Sequence, residues 1–132
     1  MKIEVGNSFE RTVHISASLI QEFADVTGDQ NPVHIDEEYA AKTRFKQRIA
    51  HGFLTGALLS RIIGTDFPGE GTLYLEQSMR FLHPVFIGDD ITAEVRITEI
   101  DEKRRAKLTT IIKNQKGTVV LDGLAKILLP LG

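Results

Sequence analysis

The sequence predicts an α+β domain in which an antiparallel sheet wraps around one central, apolar helix. Three observations lead there. Helix-like patterns occupy the first half of the chain and alternating, strand-like patterns the second. The segment 52–63 carries Phe53, Leu54, Ala57, Leu58, Leu59, Ile62 and Ile63 around most of its circumference, so it is expected to be buried on nearly all sides. The strand segments alternate apolar and polar residues, which leaves one apolar face to enclose that helix.

Taken in order, 9–15 alternates weakly and reads as an edge strand. Ser18 with Gln21 forms a capping box for a first helix, whose apolar face is Leu19, Ile20, Phe23 and Val26 and whose stop is Gly28. Asp36 caps a shorter second helix. Glu37 and Glu38 at its start and Lys42 and Arg44 at its close complement the helix dipole. After the apolar third helix, Leu73, Leu75, Met79 and Phe81 alternate with polar residues, and Ile91, Ala93, Val95 and Ile97 do so against Thr92, Glu94, Arg96 and Thr98. These read as half-buried antiparallel strands. The mixed charge run 101–105 is a solvated hairpin turn, 107–113 a strand, and 114–117 a tight turn. A last long strand places Val119, Leu121, Ala125, Ile127 and Leu129 on one face.

Composition narrows the function. The 132 residues hold 16 basic and 18 acidic side chains, 42% hydrophobic and 26% charged residues, and no repeat, linker or low-complexity tract. One domain over 1–132 is expected. A net charge of −2 gives no electrostatic reason to expect nucleic acid or an anionic membrane as partner. With no cysteine there is no disulfide, thiol nucleophile or thiolate metal site. The first residues lack the apolar core of a signal peptide, and no run of about 18 apolar residues occurs, so a cytoplasmic, non-membrane protein is expected.

One segment does not read as scaffold. Thr27-Gly28-Asp29-Gln30-Asn31-Pro32-Val33-His34 packs ionisable groups into a connection, and Pro32 stiffens it. Asp29 and His34 are then able to converge on one water. The structural alternative is an Asx turn or helix cap for Asp29 and a polar niche for His34. Ile49-Ala50-His51-Gly52 leads into the apolar helix. Gly52 leaves a helix-terminal N–H open to a ligand oxygen, or else permits tight packing. His51 reads more readily as a cap or a backbone hydrogen-bond partner than as a catalyst. Ser60, on an otherwise apolar helix, needs an internal partner for its hydroxyl. His14 and His83 read as structural. Asp29, His34 and His51 lack the helical spacing of a histidine metal site, and no dinucleotide or phosphate-loop signature occurs, so neither metal nor redox cofactor is expected.

Together, Phe23-Ala24, the 27–34 segment with Asp36, and Ala50-His51-Gly52 resemble the signature of the MaoC-like (R)-specific enoyl-CoA hydratases, which have a hot-dog fold. The likeness continues through Tyr74-Leu75 and Pro84-Val85-Phe86-Ile87-Gly88-Asp89, covering almost the whole chain. It implies that Asp29 and His34 hold the catalytic water, that the Gly52 amide binds the thioester oxygen, and that Ser60 is a polar residue near the aspartate. Asn31, Ser60 and His51 are grouped as substrate-binding. It further implies an enoyl-CoA thioester substrate, (R)-specific and reversible hydration, no cofactor and a homodimer. The alternatives are a hot-dog thioesterase on the same scaffold and a non-catalytic acyl-CoA-binding subunit.

Overall fold

In the computed structural model, which describes residues 2–131, the chain runs β1 (Ser8–His14), α1 (Ala17–Thr27), α2 (Pro32–Ile35), α3 (Glu37–Ala41), α4 (Gly52–Arg61), a π turn (Ile62–Asp66), β2 (Leu73–Gln77), β3 (Arg80–Phe81), β4 (Asp90–Ile100), β5 (Arg105–Lys113) and β6 (Val119–Leu128). Met1 and Gly132, the ends of the expected 1–132 domain, lie outside the described residues. No helix among the described residues is long and apolar enough to cross a membrane.

The strands form one antiparallel sheet in the order β1-β4-β5-β6-β2, with β3 also paired to β6. β1 is the expected edge strand, pairing Phe9 with Val95. Ile91, Ala93, Val95 and Ile97 of β4 face the core, joined by Ala106, Leu108 and Ile112 of β5 and Leu121, Ala125 and Ile127 of β6. Against them lie Ile20 of α1 and Leu54, Leu58, Leu59, Ile62 and Ile63 of the central helix and its π turn. Each large aliphatic side chain buried in this way contributes about 1.5–3 kcal/mol. The 101–105 run is the expected turn: Asp101 Oδ1 accepts from the amides of Lys103 (2.8 Å) and Arg105 (2.9 Å). Arg11 reaches from β1 to Asp66 with two bonds of 2.8 and 2.9 Å, pinning the sheet edge to the end of the π turn.

The structure corrects several local expectations. Ser16, not Ser18, caps α1. Ser16 is the residue with an extended backbone (φ −90°, ψ 161°), and its Oγ accepts from the Leu19 amide, whereas Ser18 already lies in the first turn. Val26 is 82% exposed and leaves the expected face, whose fully buried members are Ile20 and, one turn on, Ala24, with Leu19 and Phe23 packed against the core beside them. α3 ends at Ala41 with Lys42 as its C-cap, so Arg44 lies beyond the helix. The central helix is not enclosed all round: the sheet covers one side, and Phe53 (67% exposed), Ala57, Ser60 and Arg61 form an open stripe on the other. The 73–81 segment is not one half-buried strand. It breaks between Gln77 and Arg80 where the Ser78 amide bonds Leu124 O, and Leu73, Leu75 and Phe81 are exposed because no layer covers this edge.

Candidate active site

The end of α1 builds the first half of the site. Gly28 takes the left-handed conformation (φ 81°) that a side chain would strain, and its amide bonds Ala24 O at 2.8 Å, which stops the helix and turns the chain. Short polar side chains then stiffen the turn. The Asp29 amide donates to Thr27 Oγ1 (3.2 Å), Asp29 Oδ1 accepts from the Asn31 amide (3.3 Å), and Asn31 Oδ1 accepts from the Val33 amide (3.3 Å). The last bond caps α2, with Pro32 at its first position. Asp29 therefore makes the expected Asx turn and at the same time places its carboxylate near His34.

His34 is 9% exposed, and its Nδ1 donates to Ile49 O at 2.8 Å. A carbonyl only accepts, so the proton sits on Nδ1 and Nε2 keeps a free lone pair. Burial pushes the His34 pKa below its ordinary value, and the neighbouring His51 adds to this. The Ile49 bond and the Asp29 charge oppose the shift without reversing it. At neutral pH the imidazole is uncharged.

His51 is the deepest of the three, 2% exposed. Its Nε2 donates to Asp29 O at 3.1 Å, its ring stacks on His34 with centroids 3.9 Å apart and planes at 27°, and Phe23 of α1 packs against it at 4.8 Å. One donor atom each from Asp29, His34 and His51 lies within 4.8 Å of the others. Sequence spacing suggests the approach of Asp29 to His34 but not the arrival of His51 beside them. A metal would nevertheless fit poorly: imidazole lone pairs lie in the ring plane, and two nearly parallel planes do not meet within the roughly 2.1 Å reach of a metal–nitrogen bond. A water fits well, since two hydrogen bonds of about 2.8 Å bridge such a separation.

Beside the pair runs a cleft of about 410 Å³ whose lining includes His34, Gly52, Thr55, Phe81 and Val85. Gly52 is the first residue of α4, where an N–H has no acceptor within the helix and the dipole is positive. A β-carbon built there would lie 2.8 Å from Phe81 Cε1, which bears out the packing reading of Gly52, while its place in the cleft lining keeps the open-amide reading available.

The structure thus brings Asp29, His34, His51 and Gly52 together and leaves two residues apart. Asn31 spends its side-chain oxygen on the α2 cap and does not line the cleft. Ser60 is exposed on the open stripe of α4, so its hydroxyl faces outward and the expected internal partner is not needed. Arg44, His83 and Thr55 line the cleft without having been singled out for it. Thr55 was legible, as the residue three after Gly52 on the same helical face. Arg44 and His83 come from loops that no local pattern assigns.

A family model described as MaoC like domain matches residues 2–119. A 3-hydroxybutyryl-CoA dehydratase of Methylorubrum extorquens is 43% identical over 129 residues, spanning 97% of this chain and 82% of the relative. An (R)-specific enoyl-CoA hydratase of Aeromonas caviae is 40% identical over 129 residues, spanning 97% of this chain and 96% of the relative. The solved structure of an R-hydratase from Pseudomonas aeruginosa superposes with a TM-score of 0.95 at 48% identity, covering 98% of this chain and 84% of that one.

Proposed function

Because this chain belongs to the MaoC-like family, with the hot-dog fold, we propose that it catalyses the reversible, (R)-specific hydration of a trans-2-enoyl-CoA to an (R)-3-hydroxyacyl-CoA. The observation that carries the reading within the chain itself is the convergence of Asp29 and His34 beside a cleft lined by Gly52.

The geometry suits the chemistry. Water attacks C3 poorly at neutral pH unless a base removes its proton. His34 is neutral, with Nδ1–H held by Ile49 O, so Nε2 is free to accept that proton. Asp29 accepts the remaining O–H of the same water and aims its oxygen. The electron pair of the conjugated double bond moves onto the thioester oxygen, where the Gly52 N–H stabilises it by about 3 kcal/mol, the scale of one oxyanion donor. The His34 imidazolium then returns its proton to C2. One water supplies the hydroxyl at C3 and, through His34, the hydrogen at C2 on the same face, which makes the addition syn, and the dehydration runs the same steps backwards.

A hot-dog thioesterase would send the water to the carbonyl carbon instead. Incubation with crotonyl-CoA separates the two: hydration removes the conjugated enoyl absorbance and leaves the thioester intact, with chiral analysis giving the (R) product. Release of free coenzyme A in step with substrate loss would overturn the proposal. The convergence of Asp29 and His34 also counts against a non-catalytic acyl-CoA-binding subunit. The cytoplasm is the proposed place of action.

A homodimer is part of this reading. Phe53, Leu73, Leu75, Phe81 and Leu124 leave apolar surface exposed on α4, on β2 and β3, and on β6, which a second copy would cover. Light scattering should give twice the 14.7 kDa chain mass. A fully active monomer at micromolar concentration would refute it.

A further inference from the structure

We propose that His51 is the positioning residue of this site: its ring joins the peptide of Asp29, the imidazole of His34 and the start of α4 into one rigid unit while touching no substrate itself. This rests on the reading of Asp29 and His34 as the pair that holds the water.

His51 does not line the cleft, and its Nδ1 is buried without a hydrogen-bond partner, so neither ring nitrogen is offered to a ligand. Among the described residues its ring makes one hydrogen bond, to the Asp29 carbonyl, which as a pure acceptor requires the proton on Nε2. That bond reaches across 22 positions and ties the exposed turn after Gly28 to the central helix; the other bonds of Asp29 stay within the turn. The stack on His34 sets the second member of the pair, whose own tautomer is fixed in the opposite sense by Ile49 O. Gly52 follows immediately in sequence. His51 therefore sets the distance between the water-holding pair and the amide that receives the thioester oxygen.

Helix capping gives no reason for a histidine here. His51 occupies the N-cap position of α4 without making a side-chain cap, where Ser, Asp or Asn would satisfy an orphan amide. An imidazole that leaves the cap unmade and one of its own nitrogens unsatisfied serves something other than helix stability.

Three substitutions test this. The amide nitrogen of Gln reaches about where imidazole Nε2 stands, that of Asn only about as far as Nδ1, and Leu has no donor. His51→Asn and His51→Leu should lower kcat by about 10²-fold, the scale of a misplaced near-attack geometry, with KM within about threefold of wild type. His51→Gln should recover to within about tenfold, and the order of kcat should not follow the order of melting temperatures. Equal losses in Gln and Asn, or losses that track unfolding, would overturn the assignment. If Leu does not fold, the Gln and Asn pair decides. A substrate-free reading keeps this apart from the proposed activity: the Asp29 carbonyl carbon resonance should move upfield in His51→Asn and stay near wild type in His51→Gln. A wild type that fails to hydrate enoyl-CoA would overturn the proposed function, whereas identical Asp29 resonances in both variants would overturn the role of His51.

Discussion

Replacing Gly52 by Ala separates the two uses of that residue. The backbone there does not need a positive φ, so Ala is conformationally allowed, and the lost unfolded-state freedom stabilises by about 0.4–1 kcal/mol. Against this stands the new methyl, 2.8 Å from Phe81 Cε1 and 2.9 Å from Cδ1. Overpacking costs about 1–3 kcal/mol in a tight core, but Phe81 is 51% exposed at a sheet edge and can swing away, so the low end applies. The two terms nearly cancel, and stability should change by no more than about 1 kcal/mol. The catalytic effect does not cancel. The methyl crowds the approach to the α4 N-terminus, and loss of one oxyanion donor corresponds to about 10²–10³ in kcat. The assay is disappearance of the crotonyl-CoA enoyl absorbance, with thermal melts on the same samples. Gly52→Ala combined with Phe81→Ala removes the clash and should stay slow, because the amide is still crowded. Unchanged kinetics in the folded single variant, or full recovery in the double, would show that Gly52 serves only to accommodate Phe81.

Asp29→Asn and His34→Ala should each lower kcat by at least about 10²-fold, and the double variant should lose far less than their product, because the proposed mechanism has both side chains holding one water; steady-state kinetics on folded variants check this, and independent multiplication of the losses would contradict it. The log of kcat/KM should stay flat through neutral pH and fall only below the ordinary imidazole value of 6.5, since His34 must be neutral to act as base and its folded pKa is lowered. By the same shift, unfolded His34 takes up its proton first as pH falls, so the stability due to its neutral burial is complete above 6.5 and is lost as pH drops toward the folded value. His34→Gln should flatten that part of a melting-temperature profile. Ser16→Ala should cost about 1 kcal/mol in chemical denaturation and Ser18→Ala little, as only Ser16 caps α1.

The parts of the fold readable in sequence are those whose signal is local. Strict alternation in β4 and the apolar run of α4 place Ile91, Val95, Leu54 and Leu59 in the core regardless of their neighbours. The Asp29 to His34 segment is likewise legible, because Gly28 and Pro32 punctuate it and its polar groups bond within it. Residues decided by tertiary surroundings are not. Whether Phe53, Ser60 or Leu75 is covered depends on which layers reach them, and a periodic pattern only says that an apolar face exists. Ser16 and Ser18 compete for one cap, and backbone torsions choose between them. The stack of His51 on His34 joins residues that no motif spacing connects.

The strand order also governs how the chain can be assembled. β4, β5 and β6 form a meander of neighbouring hairpins with short closures, while β1 finds its partner only when Ser8 meets Arg96. Local closures form ahead of distant ones, so the C-terminal meander is the natural nucleus and β1 docks late. Synthesis runs in the opposite direction. Leu54, Leu58, Leu59 and Ile63 are synthesised before β4, β5 and β6, so for the several seconds needed to make the remaining half of the chain, at about 5–20 residues per second, the apolar helix lacks the three strands that form most of its cover. The one tie from the Asp29 turn to that helix among the described residues' side-chain bonds, His51 Nε2 to Asp29 O, waits until the helix is seated.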